Sequence, residues 1–147
     1  ILPVAVFILG SFISFSTGTS YGTMGILMPL AIPLAYAVGK NYGLDGDAMH
    51  AYMIVNISSV LTGAIFGDHC SPISDTTILS SMGAGCSHID HVSTQMIYAL
   101  SVCAVCVLVG YLPVALGLSV WIALPCGFLA IWALVRFVGK KVEEKAA

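Results

Sequence analysis

Two carboxylates, Asp68 and Asp75, fall within the stretch Gly67-Asp68-His69-Cys70-Ser71-Pro72-Ile73-Ser74-Asp75-Thr76-Thr77, which interrupts otherwise apolar sequence. A carboxylate at membrane depth is costly and marks function by default. It can hold a hard cation such as sodium, or a proton, but not both comfortably. Competition of that kind is the chemistry of exchange. Hydroxyls of Ser71, Ser74, Thr76 and Thr77, with backbone carbonyls freed at a helix break, would complete a cation shell. His69 stands beside Asp68. Histidine changes charge near neutral pH as a residue type, so His69 joins the two carboxylates as a candidate proton relay. A second polar stretch, Thr17 to Gly25, offers Thr19 and Ser20 from an opposing segment, with Thr17 and Thr23 nearby. Plainer roles compete. Asp68 and Asp75 are also good helix N-caps, and Gly18 and Gly22 form a G-x-x-x-G helix-packing motif.

These residues need elements to position them, and the composition says which. Of 147 residues, 59% are hydrophobic and 8% charged, against about 25% charged in a soluble domain. No charged residue occurs in 1–39, 48–67 or 91–135. Such stretches are long enough to cross a bilayer, which takes ~20 apolar residues per helix. The runs are apolar all round and lack a period of two, so the spacing predicts helices, not a membrane barrel. With net charge −2 and no basic patch, nucleic acid is excluded as a partner.

The runs are Ile1–Ser16, Ile26–Val38, Met49–Phe66, Met96–Leu112 and Leu118–Phe137, with Trp121 and Trp132 near the ends of the last. Polar links lie at Lys40–Asp47 and Cys86–Gln95, and Pro113 is expected to stop the fourth run. Pro72 cannot donate in a helix and pushes Ser71 towards extended backbone. Gly67 to Asp75 therefore reads as an unwound joint between two half-helices. Gly18 to Gly25 reads as a helical-hairpin tip or a second joint. Irregular backbone at that depth survives only inside protein or beside a watery cavity, and paired broken segments point to a transporter's substrate site. His50 and Asn56 are candidates for polar glue between helices.

The expected fold is an all-α integral membrane bundle, a transmembrane helical bundle with interrupted helices and a re-entrant hairpin. A membrane domain over 1–139 precedes a tail at 140–147. Arg136, Lys140, Lys141 and Lys145 place that tail in the cytoplasm of a multi-pass inner or plasma membrane protein. The chain begins inside an apolar run at Ile1, which reads as a fragment that starts inside a transmembrane or re-entrant segment. The oligomeric state stays open, a homodimer among the options. Cys103 and Cys106 form a C-x-x-C inside an apolar stretch and read as packing residues. His88, Asp90 and His91 with Cys86 match no closed zinc pattern and read as a solvated link. No cofactor is expected, and no metal beyond a transported cation.

The same residues resemble a known family. The eleven residues Gly67–Thr77 are similar to the signature of NhaC-type sodium/proton antiporters. The similarity continues through Gly83-Ala84-Gly85-Cys86, His88-Ile89-Asp90-His91-Val92 and Thr94-Gln95. Upstream it takes in Gly18-Thr19-Ser20-Tyr21-Gly22-Thr23 and Gly25-Ile26-Leu27-Met28-Pro29. Ser87 and Ser93 depart from the acidic and basic residues expected there. The resemblance implies a secondary transporter exchanging Na+ for H+, or a relative coupling sodium or protons to organic acids such as malate and lactate. It implies one repeat of an inverted-repeat transporter whose N-terminal half is missing here, and site residues Asp68, Ser71, Ser74, Asp75, Thr76 and Thr77, with Thr19 and Ser20. The exchange reading predicts that neutralising Asp75 abolishes exchange. A hydrolase reading fails because Asp68, His69 and Ser71 are too close in sequence to form a triad. A haem subunit would need facing histidines on packed helices.

Overall fold

Helix α1 spans Leu2–Thr17, with Pro3 in its first turn, where a missing N–H costs nothing. It ends at Gly18, whose φ of 67° is left-handed, and whose N–H closes on the Ser14 carbonyl at 2.8 Å. Thr19 is extended and caps the next helix, its Oγ1 accepting from Gly22 N–H at 3.2 Å. Helix α2 follows at once over Ser20–Asn41. The hairpin tip is thus two residues, narrower than the Gly18–Gly25 stretch expected from sequence. The hydroxyls that suggested irregular backbone instead bond within the helices: Thr23 Oγ1, for example, donates to the Thr19 carbonyl at 2.8 Å.

Helix α3 runs over Gly46–Cys70, after a turn in which Lys40 pairs with Asp45. It carries four residues further than the Gly67–Asp75 joint allowed, so the break is only Ser71–Ser74. Ser71 is extended before Pro72, as proline requires of its predecessor. Helix α4 spans Asp75–Gly83, capped by Ser74, whose Oγ accepts from Thr76 N–H at 3.2 Å. At nine residues it is ~13 Å long and cannot cross a bilayer. Helix α5 spans His88–Val105, so most of the expected Cys86–Gln95 link is helical. Nor does Pro113 stop the fourth run. A π-helical segment, Cys106–Tyr111, leads into the short helix α6, Leu112–Ala115, where Pro113 occupies the first turn. Helix α7 covers Val120–Phe137. The structure, a computed structural model, describes residues 1–139, and the expected tail at 140–147 lies outside them.

Every described element is helical, and four helical stretches are long and apolar enough to cross a membrane: Ser20–Asn41, Gly46–Cys70, His88–Ala115 and Val120–Phe137. Large side chains such as Leu30, Trp121 and Phe128 are exposed, the outward apolar surface a lipid-facing bundle presents. The chain is a multi-pass helical membrane protein.

The described residues form two units, Ile1–Ser101 and Val102 onward. In the second, α7 packs against the π segment and α6. In the first, α1 and α2 both pack on α3. The α1–α3 contact is backbone on backbone. A Cβ on Gly63 would lie 2.5 Å from the Phe7 carbonyl oxygen, and one on Gly67 would meet Ser14 Cβ at 2.7 Å and Phe15 N at 2.8 Å. Ser14 Oγ donates to the Ala64 carbonyl at 2.5 Å. Partners ascend together along both helices, so α1 and α3 run parallel, with α2 antiparallel between them in sequence. Gly63 and Gly67 form the G-x-x-x-G that packs. Gly22 does not, because a Cβ there would meet only Thr19 of its own turn. Leu27, Ala31, Val60 and Val6 close the apolar core of the three helices.

Candidate functional site

Parallel packing of α1 on α3 brings the two breaks in the chain together. Ser71 Oγ donates to the Phe15 carbonyl at 2.8 Å, near the end of α1. A Cβ on Gly18 would sit 2.9 Å from the Ile73 carbonyl oxygen, so only glycine fits this close, left-handed position. The C-terminal ends of α1 and α3 and the N-terminal ends of α2 and α4 therefore meet at one place.

Asp68, in the last turn of α3, puts its carboxylate there. It is 6% exposed. Its Oδ1 accepts from Ser74 Oγ at 2.6 Å, and its Oδ2 from Ser20 Oγ at 3.3 Å and Thr76 Oγ1 at 3.4 Å. Ser74 and Thr76 hydroxyls are 2.7 Å apart. Ser20 opens α2, and Ser74 and Thr76 flank the start of α4, so the carboxylate faces two positive helix ends. Among the described residues it has no ion-pair partner; that between Lys40 and Asp45 is the one pair present. A buried charge without a counter-ion is costly, and a proton or a bound cation removes that cost. Each hydroxyl can donate to an empty carboxylate, or turn its O–H away and offer a lone pair to a cation. Thr77 Oγ1, buried on α4, has no hydrogen-bond partner among the described residues.

Asp68, Ser20, Ser74 and Thr76 thus converge. Ser71 is fully buried but serves the backbone, bonding Phe15 and accepting from Ile73 N–H at 3.3 Å. Thr19 caps α2. Asp75 lies in the first turn of α4, exposed and without a hydrogen bond among the described residues, where its charge suits the helix dipole. His69 is exposed on α3, and its backbone carbonyl accepts from Gln95 Nε2. Asn56 is buried, donating to the Tyr52 carbonyl at 2.9 Å, its Oδ1 without a partner among the described residues, whereas His50 is exposed. No disulfide joins the cysteines among the described residues.

Four carbonyls at or beside the break each hold one donor. Asp68 and Ser71 carbonyls accept from Ser71 and Ser74 N–H, His69 from Gln95 Nε2 at 3.0 Å, and Pro72 from the His88 ring at 2.7 Å. His88 and Gln95 were missed as contributors because the Cys86–Gln95 stretch read as a solvated link. His88 and Gln95 stand seven apart, two helical turns on one face, which was the available signal.

Two helix breaks that meet around a buried carboxylate are an arrangement that helical transporters use at their substrate sites. The comparison with known families narrows this. The family model described as "Na+/H+ antiporter family" matches residues 1–116, and the chain belongs to that family. It is 48% identical over 118 residues to a Haemophilus influenzae protein named only as uncharacterized, covering 80% of this chain and 21% of that one. It is 35% identical over 92 residues to an uncharacterized Na(+)/H(+) antiporter of the same organism, covering 63% and 17%. It is 32% identical over 96 residues to the malate-2H(+)/Na(+)-lactate antiporter of Bacillus subtilis, covering 65% and 18%. The chain spans about a fifth of the length of these relatives. No solved structure matches it.

Proposed function

We propose that this chain carries a half-site of a secondary transporter that exchanges Na+ for H+, with Asp68 as the group for which the two ions compete. The observation that carries the reading is the burial of Asp68 without a cationic partner, under three hydroxyls that can reverse their roles. In the proton-loaded state the carboxyl is neutral and the hydroxyls bond it and one another. In the sodium-loaded state the carboxylate neutralises the ion, and Ser20, Ser74 and Thr76 supply neutral oxygens, with Thr77 Oγ1 a further candidate. Asp75 and His69, exposed beside this site, are placed on the proton path to it. The remainder of the transporter supplies the other half, so the 147-residue chain is not expected to transport alone.

We place the protein in the inner or plasma membrane with the 140–147 tail in the cytoplasm, on the charge bias of the sequence. A second reading rests on the lactate/malate relative: an organic-acid exchanger using the same cation site. The positive ends of α2 and α4 would then favour the acid's carboxylate. Everted vesicles carrying the complete transporter decide between them. After acidification by respiration, alkalinisation by sodium alone supports Na+/H+ exchange. A response that requires added malate or lactate replaces it with the second reading.

A further inference from the structure

We propose that His88 is a positioning residue for the Asp68 site, acting as a clamp from α5 on the Ser71–Ser74 break. The break is weakly held from within. Its own bonds are Ser71 N–H to Asp68 O at 3.2 Å, Ser74 N–H to Ser71 O at 3.4 Å, and Ile73 N–H to Ser71 Oγ at 3.3 Å. The shortest bond to its backbone comes from outside: His88 Nε2 lies 2.7 Å from the Pro72 carbonyl oxygen. A carbonyl only accepts, so Nε2 carries the proton; Nδ1 lies 3.2 Å from Oγ of buried Ser81, whose own O–H donates to the Ile78 carbonyl at 2.8 Å. One imidazole thereby ties the break to α4. Two turns further along α5, Gln95 Nε2 donates to the His69 carbonyl at 3.0 Å, so α5 grips the end of α3 as well.

The grip bears on the site because two of the three hydroxyls on Asp68 come from residues at or just beyond the break. Thr76 Oγ1 stands 3.4 Å from Oδ2, at the edge of hydrogen-bond range, so a shift of a few tenths of an ångström removes it. The effect on sodium rests on the exchange reading above; the effect on the break does not.

The test uses the complete transporter with His88→Gln, which keeps an N–H donor, and His88→Leu, which keeps bulk without one. Amide hydrogen exchange is followed over residues 71–78, together with sodium-dependent proton movement. For His88→Leu we expect amide exchange about tenfold faster and an apparent KM for sodium about tenfold higher, as for loss of one good hydrogen bond, with maximal rate little changed. His88→Gln is expected to stay near wild type in both. Wild-type amide exchange in His88→Leu, or equal damage in both variants, overturns the proposal. If His88→Leu does not reach the membrane, Ser81→Ala is expected to speed amide exchange over 71–78, and unchanged exchange overturns the proposal. A wild type that moves no protons on sodium defeats the exchange reading alone and leaves the amide data to judge the clamp.

Discussion

Ser74 does two things, and a pair of substitutions separates them. Its Oγ donates to Asp68 Oδ1 at 2.6 Å, and it caps α4 by accepting from Thr76 N–H at 3.2 Å. A hydrogen bond to a charged group contributes about 1.5–3 kcal/mol. The cap contributes about 1 kcal/mol against alanine but only a few tenths against glycine. Ser74→Ala loses both contributions, whereas Ser74→Gly loses the carboxylate bond and little of the cap. In the sodium-loaded state Ser74 Oγ is a neutral ligand oxygen, and if it contributes as much there as a bond to a charged group, both variants weaken apparent sodium affinity by about 10- to 100-fold, since each ~1.4 kcal/mol is tenfold. Ser74→Ala is then the less stable of the two by up to ~1 kcal/mol. The assay is sodium titration of the pH response in everted vesicles, with thermal inactivation of detergent-solubilised protein alongside. Wild-type sodium affinity in Ser74→Gly would refute the reasoning and reduce Ser74 to a cap.

Other outcomes follow from the same geometry. Asp68→Asn should abolish sodium-driven proton movement while membrane abundance is kept, because the amide fills the pocket without the charge. Asp75→Asn should leave a measurable response in the same vesicles, since Asp75 is exposed and apart from the hydroxyl cluster; complete loss would return Asp75 to the site. Gly67→Ala forces a Cβ against Ser14 and Phe15 and should cost ~1–3 kcal/mol, read as lower membrane abundance, whereas Gly25→Ala, with open space around it, should be silent. Gly18→Ala should destabilise through both its φ of 67° and its approach to Ile73, measured by the same abundance assay.

Helical class, membrane placement and the two broken segments were legible because they follow from long uncharged runs and from Pro72, whose chemistry is local. The family resemblance, read from Gly67–Thr77 and the flanking motifs, was upheld at the level of the Na+/H+ antiporter family. The extent of each break was not legible. Hydroxyls that suggest irregular backbone can bond carbonyls four residues back and stay helical, as Thr23 does, and glycines can remain helical to let a neighbour approach, as Gly67 does. Nor could sequence say which carboxylate turns inward. Asp68 and Asp75 are equivalent as letters, and the parallel packing of α1 on α3, set by Gly63 and Gly67, encloses one and leaves the other outside. His88 read as solvated because its partners, Pro72 and Ser81, lie across a turn whose path only the fold supplies.

The central claim is that sodium and a proton compete for Asp68. Purified complete transporter in weakly buffered detergent solution, titrated with sodium chloride across a series of pH values, tests it without a membrane gradient. The account predicts proton release on sodium addition that saturates with sodium and disappears in Asp68→Asn. Release of equal size in Asp68→Asn, or sodium binding with no release at any pH, would contradict it.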